Sequence, residues 1–294
     1  MMRKIMVATD FSTRSDRALR RATLLARHAT ARLLLVHVVD DDQPMRLVEA
    51  GQREALLLLT ELARTIHDVD GLDCDAKVIL GEPFQGISGA ATELDVNLVV
   101  MGPYRRQVLR EIFMGTTAER TIRRSRRPIL MANAVPAQLY RRILVAADFS
   151  DSSVHALQTA RSLGFFEDTE VILLHVFDTL AQDIMLRAAM TREQLMDHVA
   201  EEEAQAAHHM VEFIGKVQFK PSRRILRPVD ESTAQTIKDC ALAERVDLVV
   251  MGTQGQSGVG RLLLGSVAES VMQGAEMDVL AIPLDQSPDA GASS

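Results

Sequence analysis

The run Leu248-Val249-Val250-Met251-Gly252-Thr253-Gln254-Gly255, continued by Gly265-Ser266-Val267 and on to Val271, decides how this chain is read. Four apolar residues break into glycine at Gly252 and Gly255. After nine intervening residues, Gly265 and Ser266 open a stretch whose apolar residues, Val267 and Val271, fall at helical spacing. Physically this is a buried parallel strand, a glycine-rich loop at its carboxyl end and the first turn of a helix. Glycine lets the backbone approach a ligand closely, because no Cβ intervenes. The unpaired N–H groups and the dipole of the helix's first turn favour an anion.

Working outward, the same elements occur twice. Residues 4–12 read KIMVATDFS and residues 142–150 read RILVAADFS. His37-Val38 returns as His175-Val176, Val100-Met101-Gly102 as Val250-Met251-Gly252, and Gly115 as Gly265. The chain is a tandem duplication, divided at Val135-Pro136-Ala137-Gln138 into residues 1–138 and 139–294. Extra residues in the second copy are expected partly in its long second helix, about Arg192–Gly215. Each copy alternates strands with amphipathic helices, which predicts α/β domains with parallel sheets and helices on both faces. Strands are expected at Ile5–Thr9, Arg32–Val39, Cys74–Leu80, Leu98–Met101 and Pro128–Ala132. Their counterparts are Ile143–Ala147, Val171–Phe177, Arg223–Leu226, Leu248–Met251 and Val279–Ile282. A helix is expected over Gly86–Leu94, another from Gly115, and disorder in the small polar tail Gln286–Ser294.

Composition narrows the function. The 294 residues carry a net charge of −7, which argues against nucleic acid as a partner. No apolar run reaches the length of a membrane span. Cys74 and Cys240 lie far apart without metal-ligand spacing, so the cytoplasm is the expected compartment.

The spacing Gly252-x2-Gly255-x9-Gly265-Ser266 resembles the nucleotide signature of the universal stress protein family, in its ATP-binding branch. The resemblance covers about residues 3–134 and 141–284. It implies five-stranded parallel sheets in the order 3-2-1-4-5, with a ligand beyond the carboxyl ends of strands 1 and 4, where strand order reverses. It further implies that Ala147 and Asp148 lie by the adenosine and that Val176 contacts adenine through its backbone. Gly252, Gln254 and Gly255 would follow the ribose and phosphates, Gly265, Ser266 and Val267 would hold phosphate oxygens, and Met251 would be a further cofactor-binding residue. The expected cofactor is ATP with magnesium, for which Asp148 is the one carboxylate nominated as a ligand. Single-domain relatives pair through their fifth strands, so the two copies are expected to form a pseudo-dimer within one chain. A homodimer of such chains and an unknown protein partner stay open.

The first copy departs from the pattern. Thr9, Asp10, Val38, Gly102, Gly115 and Thr116 remain, but Arg105 replaces the second glycine and Pro103 removes a backbone donor. His208-His209 near Glu201-Glu202-Glu203 reads as a solvated helix face rather than a metal site, and His37 and His175 as core histidines. The run Arg120, Arg123, Arg124, Arg126 and Arg127 suits a helix C-terminus first and an acidic partner second. No Walker lysine or Ser-His-Asp arrangement is present, so the expected role is an ATP-dependent regulator without dedicated catalysis, with slow ATP hydrolysis compatible with the site. Two alternatives stand beside it. A nucleotide-free scaffold is one. The other is an adenine-nucleotide hydrolase-type enzyme, disfavoured because neither Asp-Phe-Ser strand end carries glycine.

Overall fold

In a computed structural model the described residues are 2–103, 117–178, 191–255 and 264–284. The first copy contributes β1 (Lys4–Ala8), α1 (Thr13–Ala29), β2 (Arg32–Val39), α2 (Met45–Asp70), β3 (Cys74–Leu80), α3 (Pro83–Glu93), β4 (Leu98–Met101), α4 (Thr117–Arg124) and β5 (Ile129–Met131). The second contributes β6 (Arg142–Ala146), α5 (Asp151–Ser162), β7 (Glu170–Phe177), α6 (Arg192–Val217), β8 (Arg223–Pro228), α7 (Thr233–Ala243), β9 (Leu248–Gly252), α8 (Ser266–Gly274) and β10 (Asp278–Ile282).

All ten strands form one sheet, in the order β3-β2-β1-β4-β5-β10-β9-β6-β7-β8. Each half is parallel in the expected order 3-2-1-4-5, and the halves meet where β5 and β10 pair antiparallel. Leu130 faces Leu280, and these are equivalent positions of the two copies, so a pseudo-twofold axis passes between them. The contact is isologous, the self-complementary kind that closes. It also covers two strands that would otherwise be apolar edges.

Strand alternation sends residues to two helix layers. Ile5, Val7, Leu33, Leu98, Ile143, Val145 and Leu248 pack against α1, α2, α5 and α6. Met6, Leu34, Val99, Leu144, Ile172 and Val249 pack against α3, α4, α7 and α8. Ile5, Leu33, Leu98, Ile143 and Leu144 are fully buried, each stabilising the fold by about 1.5–3 kcal/mol relative to exposure.

Two expectations need correction. α3 starts at Pro83 rather than Gly86, because proline at the first helical position costs no hydrogen bond and presets φ. α2 and α6 are equally long, at 26 residues each, so the second copy's extra length is not in its helix. Most of it precedes α6, where the connection runs from 178 to 191 against 40 to 44 in the first copy. The helix start at Gly115 and the tail Gln286–Ser294 lie outside the described residues.

Candidate functional site

The order reversal between β6 and β9 opens a cleft at their carboxyl ends. The chain leaves β6 through Ala147, whose N–H still reaches the Leu174 carbonyl at 2.9 Å. Asp148 then closes a tight turn. Its Oδ1 accepts from the Ser150 N–H at 3.1 Å, the Ser150 hydroxyl at 2.5 Å and the Ser153 hydroxyl at 2.6 Å. Ser150 caps α5 by accepting from the Ser153 N–H. One carboxylate oxygen thus holds the turn. The other, Oδ2, faces Gly255 across 3.2 Å to where a Cβ would stand.

On the opposite wall, β9 ends in Gly252. The Gly265 N–H donates to the Thr253 carbonyl at 2.7 Å, which ties the far end of the loop to its start. Gly265 occupies the N-cap of α8 with φ −63° and ψ 144° and supplies no side-chain cap. The first-turn N–H groups of Ser266 and Val267 therefore have no partner from a capping side chain. Ala147, Asp148, Val176, Met251, Gly252, Gln254, Gly255, Gly265, Ser266 and Val267 all line this one cleft. Residues 100 positions apart in sequence are neighbours here. Ser153, Leu174, Thr233 and Ile237 line it too. The last two were not legible, because α7 reaches the cleft only through the packing of its layer.

The glycines divide by physical role. A Cβ at Gly252 would stand 2.4 Å from the Ser152 hydroxyl oxygen, and one at Gly102 2.7 Å from the Arg14 carbonyl oxygen. Both glycines let a helix N-terminus approach a strand end, so their first duty is packing. Among the described residues a Cβ at Gly255 would meet only the Asp148 carboxylate, and its φ is not in the left-handed region. The reason for glycine there is space on the cleft side, not backbone strain.

In the first half Asp10 repeats the turn, accepting from the Ser12 N–H at 3.0 Å, while Thr9 Oγ1 donates to Ser15 Oγ at 2.9 Å. Burial pushes the Asp10 carboxyl up, but hydrogen bonds from Ser12 and Ser15 and the charge of Arg14 outweigh it and hold it below the usual range. The Arg14 guanidinium lies 3.5 Å from Asp10. The equivalent residue of the second copy is Ser152, so the two halves differ at the aspartate as well as at Arg105. Val38 packs so closely on α3 that a Cβ at Gly86 would lie 2.9 Å from its methyls. Arg105, Gly115 and Thr116 lie outside the described residues.

Other candidates take structural roles. His37 and His175 each place Nδ1 2.8 Å from a carbonyl, of Thr9 and Ala147 respectively. Arg120 pairs with Glu82 and lies over the Phe84 ring, Arg123 pairs with Glu119 and Glu269, and Arg127 with Asp95. His208 lies 3.3 Å from Glu212 on an exposed face. No group of three metal-ligating side chains occurs among the described residues. Burial, with the Asp75 charge, pushes the Cys74 thiol up to about 12, which leaves it unreactive. Among the described residues no helix is long and apolar enough to cross a membrane.

Comparison with known proteins fits this geometry. The universal stress protein family profile matches residues 1–133 and again 139–283. Universal stress protein MJ0531 of Methanocaldococcus jannaschii is 32% identical over 144 residues, covering 49% of this chain and 82% of that protein. Universal stress protein MJ0577 of the same organism is 25% identical over 154 residues, covering 45% of this chain and 94% of its own. A solved universal stress protein from Archaeoglobus fulgidus shares the fold over 95% of this chain and 98% of its own, with a TM-score of 0.69 at 19% identity. Two copies of one domain, joined through their fifth strands, make this chain a tandem two-domain member of the universal stress protein family.

Proposed function

We propose that the second half binds ATP in the cleft between β6 and β9, and that occupancy regulates a stress-response partner. The observation that carries this reading is convergence: ten residues drawn from four separate sequence segments line one cleft. Its chemistry suits a nucleotide. The uncapped N-terminus of α8 with the Ser266 hydroxyl offers donors to phosphate oxygens. Leu174, Val176, Ile237 and Met251 supply an apolar wall for a base. A side chain at Gly255 would fill the space between the two.

Magnesium, when bound, would neutralise phosphate charge. The phosphates and water supply most of its ligands in this reading, with Asp148, which lines the cleft beside Gly255, the one protein carboxylate nominated. Among the described residues, the hydroxyls that meet a carboxylate here, those of Ser150 and Ser153, hold the Asp148 turn at the start of α5, so binding rather than turnover is the proposed activity. Denaturing the purified protein and identifying released small molecules by mass spectrometry tests this. Adenine nucleotide near one equivalent per chain is expected. Protein that releases none and binds none on addition would end the proposal.

A further inference from the structure

The β6–β7 register ends at Ala146 and Leu174, and the next carbonyl, that of Ala147, is met by the His175 side chain. In a parallel pair each residue turns both its N–H and its C=O toward the same neighbour, and successive residues alternate sides. The Phe177 carbonyl accepts from the Val229 N–H at 2.9 Å, so Phe177 faces β8. Val176, one residue earlier, therefore faces β6. The Leu174 carbonyl takes the Ala147 N–H at 2.9 Å, and the next ladder bond would run from the Val176 N–H to the Ala147 carbonyl. That carbonyl instead lies 2.8 Å from His175 Nδ1. A carbonyl can only accept, so Nδ1 carries the proton.

A second device removes the other half of the ladder. Phe149 has φ 65°, a left-handed conformation that is unusual for an aromatic residue. It turns the chain out of the strand before its N–H can pair with the Val176 carbonyl. The Phe149 ring then stacks on the His175 imidazole, with centroids 4.1 Å apart and planes 25° from parallel. Among the described residues nothing accepts the Val176 N–H or donates to its carbonyl. Val176 lines the cleft, while His175 lies on the opposite face of β7.

The first copy repeats the arrangement. His37 Nδ1 lies 2.8 Å from the Thr9 carbonyl, Phe11 has φ 57°, and the two rings are 4.6 Å apart. Recurrence in both halves marks the pair as a built feature rather than an accident of one loop.

We infer that His175, held by Phe149, is a positioning residue for base recognition: by occupying the Ala147 carbonyl it keeps the Val176 peptide edge open for the donor–acceptor edge of an adenine. The inference rests on the nucleotide reading above. The open edge offers one N–H and one C=O on the same side of a strand. Adenine presents the complement, a ring nitrogen that accepts beside an amino group that donates. Guanine presents a carbonyl and a ring N–H in those places, the reversed pattern, so the edge selects as well as binds.

The test uses His175→Leu, which lets the ladder close, and His175→Asn, whose amide can still donate to the Ala147 carbonyl. ATP, GTP and inorganic tripolyphosphate are titrated into each full-length protein, and hydrogen exchange of the Val176 amide is followed without ligand. The expected result for His175→Leu is a loss of ATP affinity of about 10-fold or more, the effect of two hydrogen bonds. Its preference for ATP over GTP collapses, its tripolyphosphate binding is unchanged and its Val176 amide becomes protected. His175→Asn should keep the preference and the fast exchange. The inference is overturned if His175→Leu keeps the ATP preference, if ATP and tripolyphosphate weaken together, or if the Val176 amide is already protected in the wild type. Should His175→Leu not fold, a loss of preference in folded His175→Asn with Val176 exchange still fast overturns it. Wild-type protein that binds no nucleotide overturns the nucleotide reading itself, whereas fast Val176 exchange in that protein would still verify the open edge.

Discussion

Arg21 and Asp278 join the two copies through a buried ion pair, with Nε 2.7 Å from Oδ2 and side chains 5% and 0% exposed. The Tyr140 hydroxyl donates to the same oxygen at 2.7 Å and the Ala134 N–H to the other at 2.9 Å. Arg21 also donates to the Gln138 carbonyl at 2.7 Å and covers the Tyr140 ring. Burial pushes the Asp278 carboxyl up, against the opposing pull of Arg21, Tyr140 and the Ala134 N–H. The connecting segment is thus fastened to both halves by one carboxylate.

Removing one partner of that pair strands a charge. Arg21→Met is predicted to lower unfolding free energy by about 3–5 kcal/mol, while Arg21→Met with Asp278→Leu recovers part of the loss. Urea denaturation of the three proteins measures this. An Arg21→Met protein within about 0.5 kcal/mol of wild type would show that the pair does not fasten the halves.

The glycines should separate by experiment as they do by geometry. Gly252→Ala and Gly102→Ala each push a Cβ into α5 or α1 and are predicted to cost about 1–3 kcal/mol of stability. Gly102→Ala should cost more, because the atoms it meets are backbone. Among the described residues Gly255→Ala meets only the movable Asp148 carboxylate, so stability should stay within about 0.5 kcal/mol while nucleotide affinity falls. Thermal melts paired with nucleotide titrations decide it. A destabilised Gly255→Ala with unchanged affinity would reverse the assignment.

His175 carries a pH signature. Burial lowers its imidazole below the usual 6.5, against the Ala147 hydrogen bond and the Asp148 charge, with His209 adding to the lowering. Between the lowered value and 6.5 the unfolded chain holds a proton that the folded chain refuses. This share of stability is complete above pH 6.5 and is lost as pH falls through the folded value. Wild type should therefore lose more stability over that window than His175→Asn. Parallel curves for the two proteins would contradict it.

Much of this was legible because duplication constrains a sequence doubly. Asp-Phe-Ser at 10–12 and again at 148–150 marked both strand ends, and the resemblance to a family whose single-domain members pair through their fifth strands pointed to the β5–β10 seam. What escaped depends on register and on packing between distant segments. Nothing in the letters shows that Gly252 abuts Ser152, or that Arg14 stands by Asp10 where the other copy has serine. Thr233 and Ile237 reach the cleft from a helix outside the motif. His175 was legible as a core histidine, but its choice of the Ala147 carbonyl over a purely apolar setting follows only from where β6 ends.

Magnesium should strengthen ATP binding, because three phosphates gather negative charge beside Asp148 in a chain of net charge −7. Titrating labelled ATP with magnesium and with a chelator measures the difference, since no tryptophan reports binding. Equal affinity in both conditions would show that the metal takes no part in binding.

Calorimetric titration of MgATP into nucleotide-stripped wild type, Gly255→Arg and Arg105→Gly decides whether the second half alone holds the nucleotide. About one tight site per chain is expected in wild type, as one intact motif among two copies implies. Gly255→Arg should abolish it, and Arg105→Gly should add a weak second site that Pro103 still limits. No binding in wild type, or two equal sites that survive Gly255→Arg, would contradict it.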